Sequence, residues 1–245
     1  MGATAPRRAA DVADPRTDTP RQLPLDLGHG TGYSRDELVV SSTNSQAAAL
    51  IDRWPDWPSQ VVVLAGPAGS GKTHLASIWR ARAGALKVDA GRIGESIADL
   101  GDRPVLIDDI DKVPVDEQGL FHLINAVRGA GSTLLLTARR FPSAWGVALP
   151  DLISRLKAAA TVEIHEPDDL LLAGVITKLF ADRQVEVEPH VVQYLVRRIE
   201  RSLATAMRVV ERLDRAALER KTPITRALAA ETVSAMDEGQ GEFEI

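Results

Sequence analysis

Eight residues, Gly66-Pro67-Ala68-Gly69-Ser70-Gly71-Lys72-Thr73, follow the apolar run Val61-Val62-Val63-Leu64 and open a segment of helical character over 73–83. Their spacing is G-x-x-x-x-G-K-[ST], between a strand and a helix as that motif requires. Glycines at these places let the chain curl until successive backbone N–H groups converge on one anion. The helix N-terminus adds the positive end of its dipole. In such a loop Lys72 is expected to reach the outer phosphates of a nucleotide, and the Thr73 hydroxyl to ligate Mg2+. His74, directly after, stands where it could touch the phosphates, with capping or packing as the competing role. Downstream, Val105-Leu106-Ile107-Asp108-Asp109 is an apolar strand ending in two carboxylates. A parallel sheet would set Asp108 beside the phosphate loop, to hold the same Mg2+, and Asp109 where a carboxylate orients an attacking water. An Asp-Asp pair alone reads equally well as a helix cap; the upstream loop favours the metal reading.

These residues need a scaffold, and the pattern around them supplies one. Strands are predicted at 61–64, 86–89, 105–107, 133–137 and 161–164, with helical spacing at 73–83 and 116–128 between them. Short apolar strands alternating with helices predict an α/β fold, a parallel five-stranded sheet covered on both faces. From Pro167 onward strand signals stop, and 167–182, 189–199, 202–220 and 225–236 carry helical periodicity. The expected organisation is a tail over 1–33, an α/β domain over 34–166, an all-helical lid over 167–238 and a short C-terminal tail over 239–245.

Composition excludes several classes. The chain has 245 residues, 44% hydrophobic and 26% charged, with no cysteine, so disulfide scaffolds, thiol nucleophiles and cysteine metal sites are out. No apolar run approaches the ~18 residues of a membrane span, and the first twenty residues lack a signal-peptide core. A cytoplasmic protein is expected, with no membrane partner. A net charge of −5 argues against a surface devoted to nucleic acid. The five histidines, at 29, 74, 122, 165 and 190, show no metal-ligand spacing. Trp54 and Trp57, ahead of the first core strand, read as packing residues, one of them an alternative platform for adenine.

The phosphate loop, Leu-Ile-Asp-Asp at 106–109, a strand ending in Thr137, the segment Leu152-Ile153-Ser154-Arg155-Leu156 and the helical lid resemble the AAA+ ATPases. Within them, residues 35–236 are similar to the replication initiator DnaA. The resemblance implies a P-loop NTPase fold and an arginine at 155 that projects into a neighbour's ATP site, where a guanidinium stabilises the charge of hydrolysis. It also implies that Arg201 reaches from the lid to the bound nucleotide; residues 197–226 carry nine Arg/Lys against four Asp/Glu, so a plain surface charge is the competing reading. One departure stands out. Where DnaA-like chains carry an acid after the fourth strand, this one reads Thr137-Ala138-Arg139-Arg140. A cation there argues against turnover at the chain's own site.

Residues 1–21 hold almost no large apolar side chain and are predicted disordered. At their end, Gln22-Leu23-Pro24-Leu25-Asp26-Leu27 resembles the peptide by which bacterial replication proteins dock on the DNA polymerase III β sliding clamp, with Gln22, Leu23, Leu25 and Leu27 as the contacts. A segment folding back on the body is the competing reading. The sequence ends soon after the lid, so the expected chain lacks the DNA-binding and helicase-loading domains of DnaA. Tail, core and lid together resemble the Hda group of DnaA regulators. That resemblance implies ADP (or ATP) with Mg2+ as ligands, DnaA and the sliding clamp as partners, DNA contact through the clamp, and a possible homo-oligomer. An autonomous ATPase such as a helicase loader, or a degenerate initiator, are the alternatives.

Overall fold

Strand β1 (Val61–Ala65) is buried at all five residues, as a β-branched run must be when helices cover both faces of a parallel sheet. The computed structural model describes residues 35–97 and 100–241, so the 22–27 peptide and the terminal residues 242–245 lie outside the described residues. Around β1 stand β2 (Leu86–Val88), β3 (Val105–Ile107), β4 (Leu134–Ala138) and β5 (Ala160–Glu163). All pairs are parallel and the order is β2-β3-β4-β1-β5. Five parallel strands over nearly the predicted spans are therefore observed.

Side chains alternate between the two faces of the sheet. Val61 and Val63 of β1, with Val105, Ile107, Leu134 and Leu136, face α4 (Glu117–Gly129) and α5 (Pro150–Lys157) through Leu123, Ile124, Leu152 and Leu156. Val62 and Leu64, with Leu106 and Leu135, face α1 (Ser45–Arg53) and α2 (Lys72–Ala83) through Ile51, Leu75 and Trp79. Trp57 stacks on buried Trp79 with centroids 5.1 Å apart, and Trp54 meets the same ring edge-on at 6.5 Å. Their indole N–H groups donate to the Leu50 carbonyl and to Thr133 Oγ1. Both tryptophans are packing residues, as the first of the two readings had it. Helix α1 has no counterpart among the predicted elements; its buried stripe is mostly alanine, Ala47 and Ala48 beside Leu50 and Ile51, which gives little apolar contrast. The short α3 (Ile93–Ser96) follows β2.

Beyond the sheet, α6 (Asp169–Asp182), α7 (Pro189–Arg198), α8 (Leu203–Arg220) and α9 (Arg226–Gly241) share an apolar core of their own, with Ile176, Phe180, Leu195, Val209, Leu213 and Ala229 at its centre. Proline at the first turn starts α7, while Asp168 and Ser202 cap α6 and α8 through their side chains. No described helix is long and apolar enough to cross a membrane.

Candidate functional site

Because every strand runs the same way, the carboxyl ends of β1, β3 and β4 open on one edge of the sheet, where ligands of open α/β folds bind. From β1 the chain turns at Gly66, whose N–H donates to the Ala138 carbonyl at the end of β4. A Cβ on Gly66 would collide with the carbonyl oxygen of Ile164. Gly69 (φ 73°) and Gly71 (φ 97°) take left-handed backbone angles, the latter as the N-cap of α2. Pro67, Ala68 and Ser70 complete the turn, and the Ser70 hydroxyl is buried with no protein partner among the described residues.

Lys72, the first residue of α2, is buried, and its ammonium donates to the carbonyls of Gly66 (2.8 Å) and Pro67 (2.7 Å). Burial pushes its pKa below the usual lysine range, the field of Asp109 pulls it up, and that of Arg139 pushes it down again. Among the described residues no carboxylate stands within ion-pair distance of this ammonium. A buried cation held by the carbonyls of the turn, a hydroxyl with no protein partner among the described residues and the N-terminus of α2 together suit an anion with several oxygens.

Thr73 Oγ1 donates to Asp108 Oδ1 at 3.1 Å, joining the two halves of the motif read from the sequence. Asp108 has two further partners. Its Oδ1 accepts from Thr137 Oγ1 at 2.7 Å, and its Oδ2 pairs with Lys87 Nζ at 3.3 Å. Thr137, fully buried at the end of β4, also accepts from the Asp109 N–H at 2.8 Å. That bond fixes Asp109 in a left-handed conformation, φ 55°. Next along, the nearly inaccessible Asp111 carboxylate accepts from the backbone N–H groups of Arg139 (2.9 Å) and Arg140 (3.0 Å) and pairs with the Arg140 guanidinium. An acid therefore does stand at this edge, supplied by the β3 loop rather than by the residues after Thr137.

The helical unit closes over the loop. Leu203 N–H, in the first turn of α8, donates to the Gly69 carbonyl at 2.8 Å, and a Cβ on Gly69 would strike the Ser202 hydroxyl. Arg201, the residue before Ser202, pairs with Asp169 at 2.8 Å and donates to the Pro167 carbonyl, tying α6 to the start of α8. His74 lies half-buried in the first turn of α2. Arg155 is not part of this cluster. It sits on α5 with its guanidinium 5.1 Å from the Phe121 ring centre, in a groove shared with Arg128, Asp151 and Ser154.

The structure thus brings Gly66–Thr73, Asp108 and Asp109 together, with Arg155 on the α5 surface beside Phe121 and Arg201 paired with Asp169 just before the residues that meet Gly69. Lys87, Asp111, Thr137, Ser202 and Leu203 are additional residues of the site. Two of them had a signal of their own: Thr137 ends the fourth apolar strand, and Lys87 is a lone charge in the strand Leu86–Val88.

Residues 175–231 match the family model for the lid domain of Hda. The chain is 28% identical over 207 residues to the chromosomal replication initiator protein DnaA of Sphingopyxis alaskensis, covering 83% of this chain and 41% of that one. Across the curated relatives first matched, the alignment spans about half of their length, 54% and 41%. Among solved structures, domain III of Thermotoga maritima DnaA superposes with a TM-score of 0.71 at 15% identity, over 83% of this chain and 96% of that one. DnaA of Aquifex aeolicus, bound to AMPPCP, gives 0.65 at 18% identity over 77% and 68%. Sheet, lid and relatives agree: the chain has the fold of DnaA domain III, is similar in sequence to DnaA over most of its length, and matches the Hda lid model over residues 175–231.

Proposed function

We propose that this chain is an adenine-nucleotide-binding regulator of DnaA. ADP, its working ligand, would lie on Gly66–Thr73, with Lys72 toward the outer phosphates and the α8 N-terminus closing the loop from above. Where Mg2+ accompanies the nucleotide, Thr73 and Asp108 are the residues to hold it, and the ion supplies charge neutralisation between phosphate oxygens. Asp109 has the position of a water-orienting carboxylate, but Arg139 and Arg140 follow β4 where an acid would assist it. The chain's own turnover is accordingly slow or absent. Its effect is exerted on a partner: Arg155, offered in trans, completes the ATP site of DnaA and converts it to the ADP form. The 22–27 peptide brings the chain to the sliding clamp on DNA, so inactivation follows replication. Core and lid over 34–166 and 167–238 form the nucleotide-dependent body of this device.

The observation that supports the reading most is the buried Lys72 ammonium without a carboxylate partner, set beside Thr73–Asp108 and beneath α8. The structural likeness to AMPPCP-bound DnaA agrees with it. The test has two parts. Calorimetry should find ADP bound by the full chain and lost in Lys72→Ala. ATP hydrolysis by DnaA, with clamp loaded on DNA, should rise on adding the chain and fail to rise with Arg155→Ala, which keeps its own ADP affinity. Full stimulation by Arg155→Ala, or sustained ATP turnover by the chain alone, overturns the assignment.

A further inference from the structure

A carboxylate that is to hold a divalent ion needs lone pairs free for the ion or for its water shell. Asp108 has few left. One oxygen receives the hydroxyls of Thr73 and Thr137, and the other faces the Lys87 ammonium at 3.3 Å. Lys87 comes from β2, the outer strand, where it pairs in register with Leu106 and reaches past the end of β3 to the carboxylate. Its side chain is 49% exposed and that of Asp108 13%, so the carboxylate that carries the ammonium has little surface of its own open to an arriving ion.

The charges nearby point the same way. Asp111 is engaged by the Arg139 and Arg140 amides and by the Arg140 guanidinium. Lys72 of the phosphate loop lies in the fields of Asp109, Asp111, Asp108 and Arg139, and Lys87 and Arg140 add a cation each at Asp108 and Asp111. A site of this sign already offers a polyphosphate the positive charge that Mg2+ usually brings.

We propose that Lys87 is the resident counter-ion of Asp108 and stands in for a divalent cation, so that the site takes a nucleoside diphosphate with little need of metal. The inference rests on the nucleotide reading above and deepens it. Lys87 is a positioning residue: it acts through Asp108, which holds Thr73 and Thr137 in place. Mg2+ could enter only by displacing an ammonium already paired, and it would then gain one carboxylate while leaving Lys87 unpaired beside it.

The experiment is calorimetric titration of ADP into the full chain, once with excess Mg2+ and once with EDTA, for the wild type, Lys87→Met and Lys87→Arg. The wild type should bind ADP with affinities within about threefold of each other in the two buffers. Lys87→Met should lose about tenfold or more in EDTA and recover much of it with Mg2+. Lys87→Arg keeps the charge and should behave as the wild type does. A purely structural role for Lys87 would lower affinity equally in both buffers. That result, or a wild type whose affinity rises about tenfold with Mg2+, overturns the inference and leaves nucleotide binding standing. Absence of ADP binding by the wild type in either buffer overturns both. If Lys87→Met fails to fold, the wild-type metal dependence and Lys87→Arg still decide.

Discussion

Replacing Thr137 by valine keeps its volume and its branched shape and removes one hydroxyl. The position is fully buried. The hydroxyl donates to Asp108 at 2.7 Å and accepts from the Asp109 N–H at 2.8 Å, so both of its hydrogen-bonding roles are in use. A neutral bond lost in the interior costs about 1 kcal/mol, and one to a charged group about 1.5–3 kcal/mol. Asp108 keeps Thr73 and Lys87, which places its share at the low end. The sum is about 2–3 kcal/mol, or a midpoint lower by roughly 5–10 °C for a body of this size. Thr137→Ser supplies the contrast. It keeps the hydroxyl and loses a methyl, about 1 kcal/mol. Pure packing ranks valine above serine here; the bonding on the page ranks serine above valine. Urea unfolding, followed by fluorescence of the Trp54, Trp57 and Trp79 cluster in the same sheet layer, measures both. A valine variant as stable as the wild type, or more stable than serine, would refute this account of the β3–β4 edge.

Two further outcomes are expected. Gln22→Ala with Leu25→Ala should abolish clamp binding in a pull-down while ADP affinity and thermal midpoint stay unchanged; retained capture removes the tail from the proposed function. Arg35 makes two bonds to Asp52, 2.8 and 2.7 Å, which hold that carboxyl below its ordinary range. A depressed folded-state pKa contributes stability above the unfolded value of about 3.9, lost as pH falls through the folded value. Both side chains are 43% exposed, so the pair is worth only about 0.2–1 kcal/mol. Arg35→Gln should therefore be less stable than the wild type at neutral pH and equal to it in strong acid. A stability gap independent of pH would show that the pair does not carry it.

What the sequence made legible follows from where each signal is encoded. Strands β1, β3 and β4 lie inside the sheet with helices on both faces, so burial forces uninterrupted apolar runs, and these read directly. The phosphate loop reads because glycine at 66 and 69 answers steric demands that no other residue meets. Edge strand β5 is only half-buried and shifts by a residue from its predicted span. Helix α1 escaped because alanines bury without contrast. The remaining features are tertiary. Nothing local to Lys87, Thr137 or Leu203 says that they meet Asp108 and Gly69, since those contacts are set by strand order and by the seating of α8. Arg201, expected at the nucleotide by resemblance, pairs with Asp169 at the joint between α6 and α8, one residue before Ser202 and Leu203, which meet Gly69 of the phosphate loop.

Strand order explains why one threonine came to matter. In the sequence β2-β3-β4-β1-β5, β4 separates the strand that ends in Asp108 from the strand that runs into the phosphate loop. The end of β4 touches both: Ala138 receives the Gly66 N–H, and Thr137 holds Asp108 and Asp109. A displacement of β4 by a fraction of an ångström is then transmitted to the turn on one side and to the carboxylates on the other, because a packed sheet has no void to absorb it. The α8 bond to the Gly69 carbonyl attaches the lid to the same turn. Whatever occupies the loop is in this way coupled, through two strand ends and one helix terminus, to the position of the helical unit. That coupling is what a nucleotide-dependent regulator requires of its fold.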